Sequence, residues 1–213
     1  MKPSTRKLIA GLTERYPALS VIETALAEAV ETLIRSFGSG GRLLVCGNGG
    51  SAADSLHIVG EMMKQFSIKR PLPVEFAERL KEVGPDAEYI AANLQPTLET
   101  IALVGSVAFD SAYANDCAPD LCFAQQAYGY GRPGDVLLAI TTSGNSKNVL
   151  YAAQVARAKG MKVIGLTGEG GGKLAPLCDT LIAVPSSVTH YVQEYHLPVY
   201  HTICLAVEHE FFA

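Results

Sequence analysis

The chain has 213 residues, 48% of them apolar and 18% charged, with a formal net charge of −4. That composition excludes a disordered or fibrous chain, and the absence of excess basic charge argues against nucleic acid or an anionic membrane surface as partner. The length suits one domain spanning residues 1–213.

Five cysteines (Cys46, Cys117, Cys122, Cys178, Cys204) are scattered without a C-x-x-C pair, which fits neither a disulfide framework nor a zinc ribbon. No signal-like or membrane-spanning apolar run is present, so a cytoplasmic protein is expected.

In chain order, a short helical stretch (Leu8, Ile9, Leu12) ends near Pro17. A longer amphipathic helix follows over 19–37, with Leu19, Ile22, Leu26, Val30, Leu33, Ile34 and Phe37 at three- and four-residue spacings. Together they form an N-terminal helical segment, 1–40, expected to serve packing or oligomer contacts.

An apolar strand at 42–46 then runs into the turn Gly47-Asn48-Gly49-Gly50-Ser51 and a helix reaching about Phe66. Residues 74–99 read as a charged, helix-prone insertion split at Gly84-Pro85; a lid, an interface hairpin and a surface excursion all remain open for it. A short strand at 100–104 and helical segments around 106–114 and 121–128 come next.

Residues 134–146 repeat the pattern of strand, small polar turn and helix, with the helix running over 147–159. Strands at 162–166 and 180–184 and a last helix over 191–212 complete the chain. Nearly continuous apolar strands alternating with helices predict an α/β fold, a parallel sheet covered on both faces, with ligands at the carboxyl ends of the strands.

Both polar turns fall at those ends. Glycines let backbone approach an anion, and the helix that follows offers free N–H groups and a positive dipole end. The same turn also serves as a tight connection in many proteins, and it is neither a Walker A loop nor a G-x-G-x-x-G fingerprint. In the second turn, Thr141, Thr142, Ser143 and Ser146 place four hydroxyls within six residues. One suffices for an N-cap, and four suit a phosphate monoester held without a basic side chain.

His57 and Glu61, at i and i+4, share a helix face and read either as a surface contact or as a metal or acid–base pair. Gln193, Glu194, His196 and His201 interrupt an otherwise apolar last helix, and they gain meaning if that helix meets the one carrying His57. Asn115-Asp116 fits a turn or a cap equally well.

These stretches together resemble the sugar isomerase (SIS) domain family and, within it, the phosphoheptose isomerases. The pieces that carry the resemblance are CGNGGSAADSLHIVGE at 46–61, AND at 114–116, GDVLLAITTSGNSKNV at 134–149, KGMKVIGLTGEGGGKLA at 159–175 and VQEYHLPVYHTICLAVE at 192–208. The resemblance implies a three-layer sandwich around a five-stranded parallel sheet of flavodoxin-like type, in a homotetramer with active sites between subunits.

By position it implies that Asn48, Gly49, Gly50, Ser51, Glu61 and Gln193 line the substrate, that Thr141, Thr142, Ser143 and Ser146 hold its phosphate, and that Asn115 and Asp116 contact the sugar. Glu61 and His201 would be the acid–base pair, and His57, Glu61, Gln193 and His201 the ligands of a zinc ion. The reaction implied is conversion of sedoheptulose 7-phosphate to a heptose 7-phosphate aldose through an enediol, supplying heptose precursors. Alternatives are an isomerase of another sugar phosphate and a non-catalytic SIS module of the replication-initiator-binding kind. A family arginine falls at Gln65 here, beside Lys64, so one sugar contact is expected to be lost or replaced.

Overall fold

A computed structural model describes residues 1–213. Five strands, β1 (Leu43–Cys46), β2 (Thr100–Ala102), β3 (Val136–Thr141), β4 (Lys162–Thr167) and β5 (Thr180–Ala183), form one all-parallel sheet in the order β2-β1-β3-β4-β5. This is the flavodoxin-like order, whose switch point lies between the first and third strands, where the connections leave in opposite directions and open a crevice.

Side chains alternate across the strands, and both faces are covered. Leu43, Val45, Val136, Leu138, Ile140, Ile164 and Leu166 enter the larger core, and Leu44, Cys46, Leu137, Ala139 and Val163 the smaller one. That double burial is why these strands read as apolar runs without polar alternation.

The larger core is closed by α1 (Pro3–Arg15), α2 (Glu23–Gly38), α3 (Gly50–Met63) and α9 (Thr189–Phe212). The N-terminal helices pack on α9 within the same chain. The smaller core is closed by α7 (Cys122–Tyr130) and α8 (Lys147–Ala158), with α6 (Val107–Asp116) outside α7. The helix expected from residue 19 begins at Glu23, because Pro17–Ile22 forms a 3-10 turn. Leu19 and Ile22 are buried from that turn, whose three-residue period mimics the start of an α-helix in the sequence.

Residues 74–99 contain two short helices, α4 (Val74–Lys81) and α5 (Ala87–Asn93), that pack on each other and leave Val74, Val83 and Tyr89 exposed. In the single chain they form a surface excursion. Its base is tied down by Leu98, whose N–H bonds the Met62 carbonyl at 3.1 Å.

A buried ion pair fixes α3 against α9. Glu208 and Arg70 are both fully buried, 2.8 Å apart. Glu208 accepts the N–H groups of Phe66 (2.7 Å), Ser67 (2.7 Å) and Ile68 (3.1 Å), and Arg70 donates to the carbonyls of Met62 (2.7 Å) and Glu61 (3.2 Å). The last turn of α3 is thereby bolted to the last helix.

Candidate active site

Three segments meet at the carboxyl ends of β1 and β3. The first is the glycine turn. Gly47 approaches Ser51 so closely that a Cβ on it would lie 2.6 Å from the Ser51 Cβ, and Gly49 has φ +56°, a conformation that favours glycine. Gly50 opens α3 with the Gln193 side chain against it; a Cβ there would lie 3.0 Å from Gln193 Cδ. Gln193, on α9, is therefore brought to the glycine turn.

The second segment is the hydroxyl turn. Thr141 is buried at the end of β3, with its Oγ1 3.1 Å from Ser146 Oγ. Ser146 stands at the N-cap position of α8 without making a side-chain capping bond. Capping does not consume these hydroxyls. Thr142 is half-buried and Ser143 exposed, its Oγ accepting the Asn145 N–H at 3.2 Å.

The loop after β4 braces this turn. Gly168 N–H bonds the Thr142 carbonyl at 3.0 Å, and Leu174 N–H the Gly144 carbonyl at 3.0 Å. Gly144 (φ +67°) faces the Gly171 carbonyl with no room for a Cβ. Asn48 and Asn148 join the two turns by a reciprocal pair of carboxamide hydrogen bonds, 2.9 and 2.8 Å. Asn148 was not singled out in the sequence; its position two residues after Ser146, at the start of a helix, was the only signal.

The third segment is the meeting of α3 with α9. The His57 Nε2 lies 3.3 Å from Glu61 Oε1, and Lys64 Nζ lies 2.9 Å from Glu61 Oε2. The His57 ring packs edge-on against His201, centroids 5.0 Å apart, and against Tyr200 at 5.5 Å. Phe66 covers His201 at 5.4 Å. The two helices do meet, so His57, Glu61 and His201 form one cluster.

Burial, with His57 beside it, holds the His201 imidazole below the usual histidine value. The ring is neutral near pH 7, the form that can both accept and give a proton. Its Nε2 is buried with no hydrogen-bond partner. His196, one helical turn earlier, is fully buried, and burial pushes its pKa down to about 4. It lies in the core and belongs to no acid–base pair.

The Tyr200 hydroxyl lies 2.9 Å from His57 Nδ1. Burial raises the Tyr200 pKa, and the neighbouring Asp54 carboxylate adds to the shift. Tyr200 and Asp54 were not among the residues singled out in the sequence. Tyr200 reads there as one more apolar-face aromatic beside His201.

Asn115 and Asp116 end α6, exposed and bonded to each other at 2.8 Å, and neither side chain hydrogen-bonds to either turn in the same chain. Gln65 is exposed, and its backbone N–H bonds Gln95 Oε1 at 2.7 Å. The cation beside Glu61 is Lys64.

No group of three or more His, Cys, Asp or Glu side chains is arranged to hold a metal ion. The donor types of His57, Glu61, Gln193 and His201 nevertheless suit zinc, and the unpartnered His201 Nε2 is the kind of atom a metal satisfies.

The SIS domain profile matches residues 16–92 and 81–168 of the chain, the span that carries the glycine turn, His57, Glu61 and the hydroxyl turn. The chain belongs to the SIS-domain family.

Its matches run across 74–99, so that stretch lies within the family match and the likeness extends further than the quoted motifs. A phosphoheptose isomerase of Rhodospirillum rubrum is 42% identical over 184 residues, covering 86% of this chain and 85% of that protein. One of Akkermansia muciniphila is 31% identical over 212 residues, covering 100% and 99%. Among solved structures, phosphoheptose isomerase GmhA from Neisseria gonorrhoeae superposes with a TM-score of 0.73 at 31% identity, covering 93% of this chain and 94% of that one. A phosphoheptose isomerase from Francisella tularensis gives 0.76 at 31% identity, covering 92% and 91%. Within the SIS-domain family the chain therefore falls among the phosphoheptose isomerases, with the five-stranded parallel fold.

Proposed function

We propose that this SIS-domain protein is a heptose-phosphate isomerase that converts sedoheptulose 7-phosphate to the corresponding aldose phosphate, in the supply of heptose precursors. The observation that carries the reading is the meeting of α3 and α9, which sets the Glu61 carboxylate, its side chain 13% exposed, beside the neutral His201. The names and coverage of the relatives support the substrate class.

The chemistry follows from these groups. Aldose–ketose interconversion removes a proton from C1 and returns one to C2 through an enediol. A single carboxylate that reaches both carbons suffices, and Glu61 fills that role. His201, neutral, moves the proton between the carbonyl and hydroxyl oxygens. Thr141, Thr142, Ser143 and Ser146, with the first N–H groups of α8, hold the phosphate, and Asn48, Gly49, Gly50, Ser51 and Gln193 orient the chain of the sugar. Lys64 supplies the cation next to the carboxylate, and Gln65 stands where the family arginine would contact the sugar or Asp116.

Zinc is part of the proposal: His57, Glu61, Gln193 and His201 would hold it. When bound it supplies a Lewis acid for the substrate oxygens. Metal analysis of the purified protein, with and without a chelator, tests this.

A homotetramer is proposed as well, with Asn115 and Asp116 reaching a neighbour's site, since they are exposed and unengaged with their own. Light scattering tests the assembly. The protein acts in solution in the cytoplasm under this reading; no helix is long and apolar enough to cross a membrane.

Turnover of a panel of pentose to heptose phosphates tests the function. Sedoheptulose 7-phosphate is expected to be the preferred substrate, with Glu61→Gln abolishing turnover and leaving phosphate-ligand binding nearly intact. No product from any member would overturn the isomerase reading, and equal loss of binding in Glu61→Gln would make Glu61 structural.

A further inference from the structure

One pair of side chains joins the two turns at the carboxyl ends of β1 and β3. Those strands are neighbours in the sheet, so the Asn48–Asn148 pair spans the crevice in which open parallel sheets hold their ligands. Asn48 Nδ2 donates to Asn148 Oδ1 at 2.9 Å, and Asn148 Nδ2 donates to Asn48 Oδ1 at 2.8 Å. Asn48 is exposed, and these two bonds are the ones that hold its side chain.

A reciprocal amide pair fits equally well if both carboxamides turn over together. The backbone of α8 removes that freedom. Asn148 is the second residue of α8, and the N–H of Val149, a first-turn group with no intrahelical carbonyl to meet, bonds Asn148 Oδ1 at 3.0 Å. An N–H meets only an acceptor, so Oδ1 is held at that place and Nδ2 is turned to Asn48 Oδ1. The sequence of donors and acceptors thus runs from the helix backbone through Asn148 to Asn48. One N–H and one oxygen lone pair of the Asn48 carboxamide remain, each on a fixed edge.

We propose that Asn148 is a positioning residue that holds the Asn48 carboxamide in one orientation, so that Asn48 presents its remaining N–H and its remaining oxygen lone pair to two set places on the sugar. The proposal rests on the reading that Asn48 lines the substrate. A hydroxyl both gives and accepts, so an amide free to turn over tolerates two poses of a polyol chain. A held amide admits one, which is what a carboxylate that must reach two adjacent carbons requires.

The test is a double-mutant cycle on the full-length protein: Asn48→Ala, Asn148→Ala and both together. Kinetics on sedoheptulose 7-phosphate and titration with inorganic phosphate are the readouts. Asn148→Ala is expected to lose about tenfold in kcat/KM, within the coupling range of side chains in contact, with phosphate affinity inside about twofold of the wild type. That loss is expected to vanish in the Asn48→Ala background, where Asn148 has nothing left to hold. Losses that multiply in the double variant, or an Asn148→Ala as active as the wild type, overturn the proposal. Phosphate affinity that falls in step with activity also overturns it, by making Asn148 part of the phosphate cradle.

Side-chain amide NMR on nitrogen-15-labelled protein reads the clamp without substrate. The Asn48 signals, assigned by their loss in Asn48→Ala, are expected to exchange with solvent several-fold more slowly in the wild type than in Asn148→Ala. Equal exchange in the two proteins overturns the proposal. If Asn148→Ala does not fold, Asn148→Leu, close to asparagine in size, takes its place in both measurements. Absence of wild-type turnover on any sugar phosphate would sink the isomerase reading, and the amide signals would still decide whether Asn148 holds Asn48.

Discussion

Gly50→Ala separates the fold from the site. Gly50 is the first residue of α3 and does not have a positive φ, so the backbone accepts an alanine. The new Cβ would lie 3.0 Å from Gln193 Cδ, with the amide nitrogen closer still. Carbon atoms rest about 3.5–4.0 Å apart, so the Gln193 side chain must retreat by about 0.5–1 Å. It is the far end of a flexible side chain and can do so by leaving its rotamer, at a cost of about 0.5–1.5 kcal/mol. Alanine in place of glycine in a helix returns up to about 1 kcal/mol. The two nearly cancel, and Tm is expected to move by no more than about 2–4 °C. Activity has no such compensation, because a displacement near 1 Å at a positioning group costs about 10²-fold. Thermal denaturation and steady-state kinetics on sedoheptulose 7-phosphate read the two effects. An unchanged kcat/KM in a fully folded Gly50→Ala would refute the place given to Gln193 at the glycine turn.

Other perturbations probe the supports of the site. Gly144→Ala forces a left-handed residue, costing about 1–2 kcal/mol, and drives a Cβ into the Gly171 carbonyl, so calorimetry should show clear destabilisation and phosphate-ligand titration a loss of affinity. Glu208→Gln leaves Arg70 buried without its counter-charge and is expected to cost about 3–5 kcal/mol in denaturant unfolding, whereas a change within 1 kcal/mol would mean the pair is dispensable. His196, pushed down to about 4 by burial, binds its proton more readily unfolded than folded. Its contribution is therefore complete above the ordinary histidine value near 6.5 and is lost as pH falls from there toward 4. Unfolding free energies measured across that window should decline in the wild type and decline less in His196→Leu.

The sheet was legible because its central strands are buried on both sides and must be apolar throughout, as at Leu43–Cys46 and Val136–Thr141. The start of α2 was misread because the 3-10 turn at Pro17–Ile22 buries residues at nearly helical spacing. Within the site, the i, i+4 relation of His57 and Glu61 and the hydroxyl turn stand in local sequence. What docks α3 on α9 does not: Arg70 and Glu208 are 138 residues apart, and nothing near either names the other. Tyr200, Asp54 and Asn148 acquire their partners only through that docking and the crossing of two loops. Asn115 and Asp116, legible only by resemblance, remain unconnected to the site within one chain.

The central claim is that Glu61 carries a proton between C1 and C2 of a heptose phosphate. Conversion of sedoheptulose 7-phosphate in deuterium oxide, followed by NMR of the product, tests it most directly. Aldose carrying solvent deuterium at C2, made by the wild type and not by Glu61→Gln, is the predicted result. Product made as fast by Glu61→Gln as by the wild type would contradict the account.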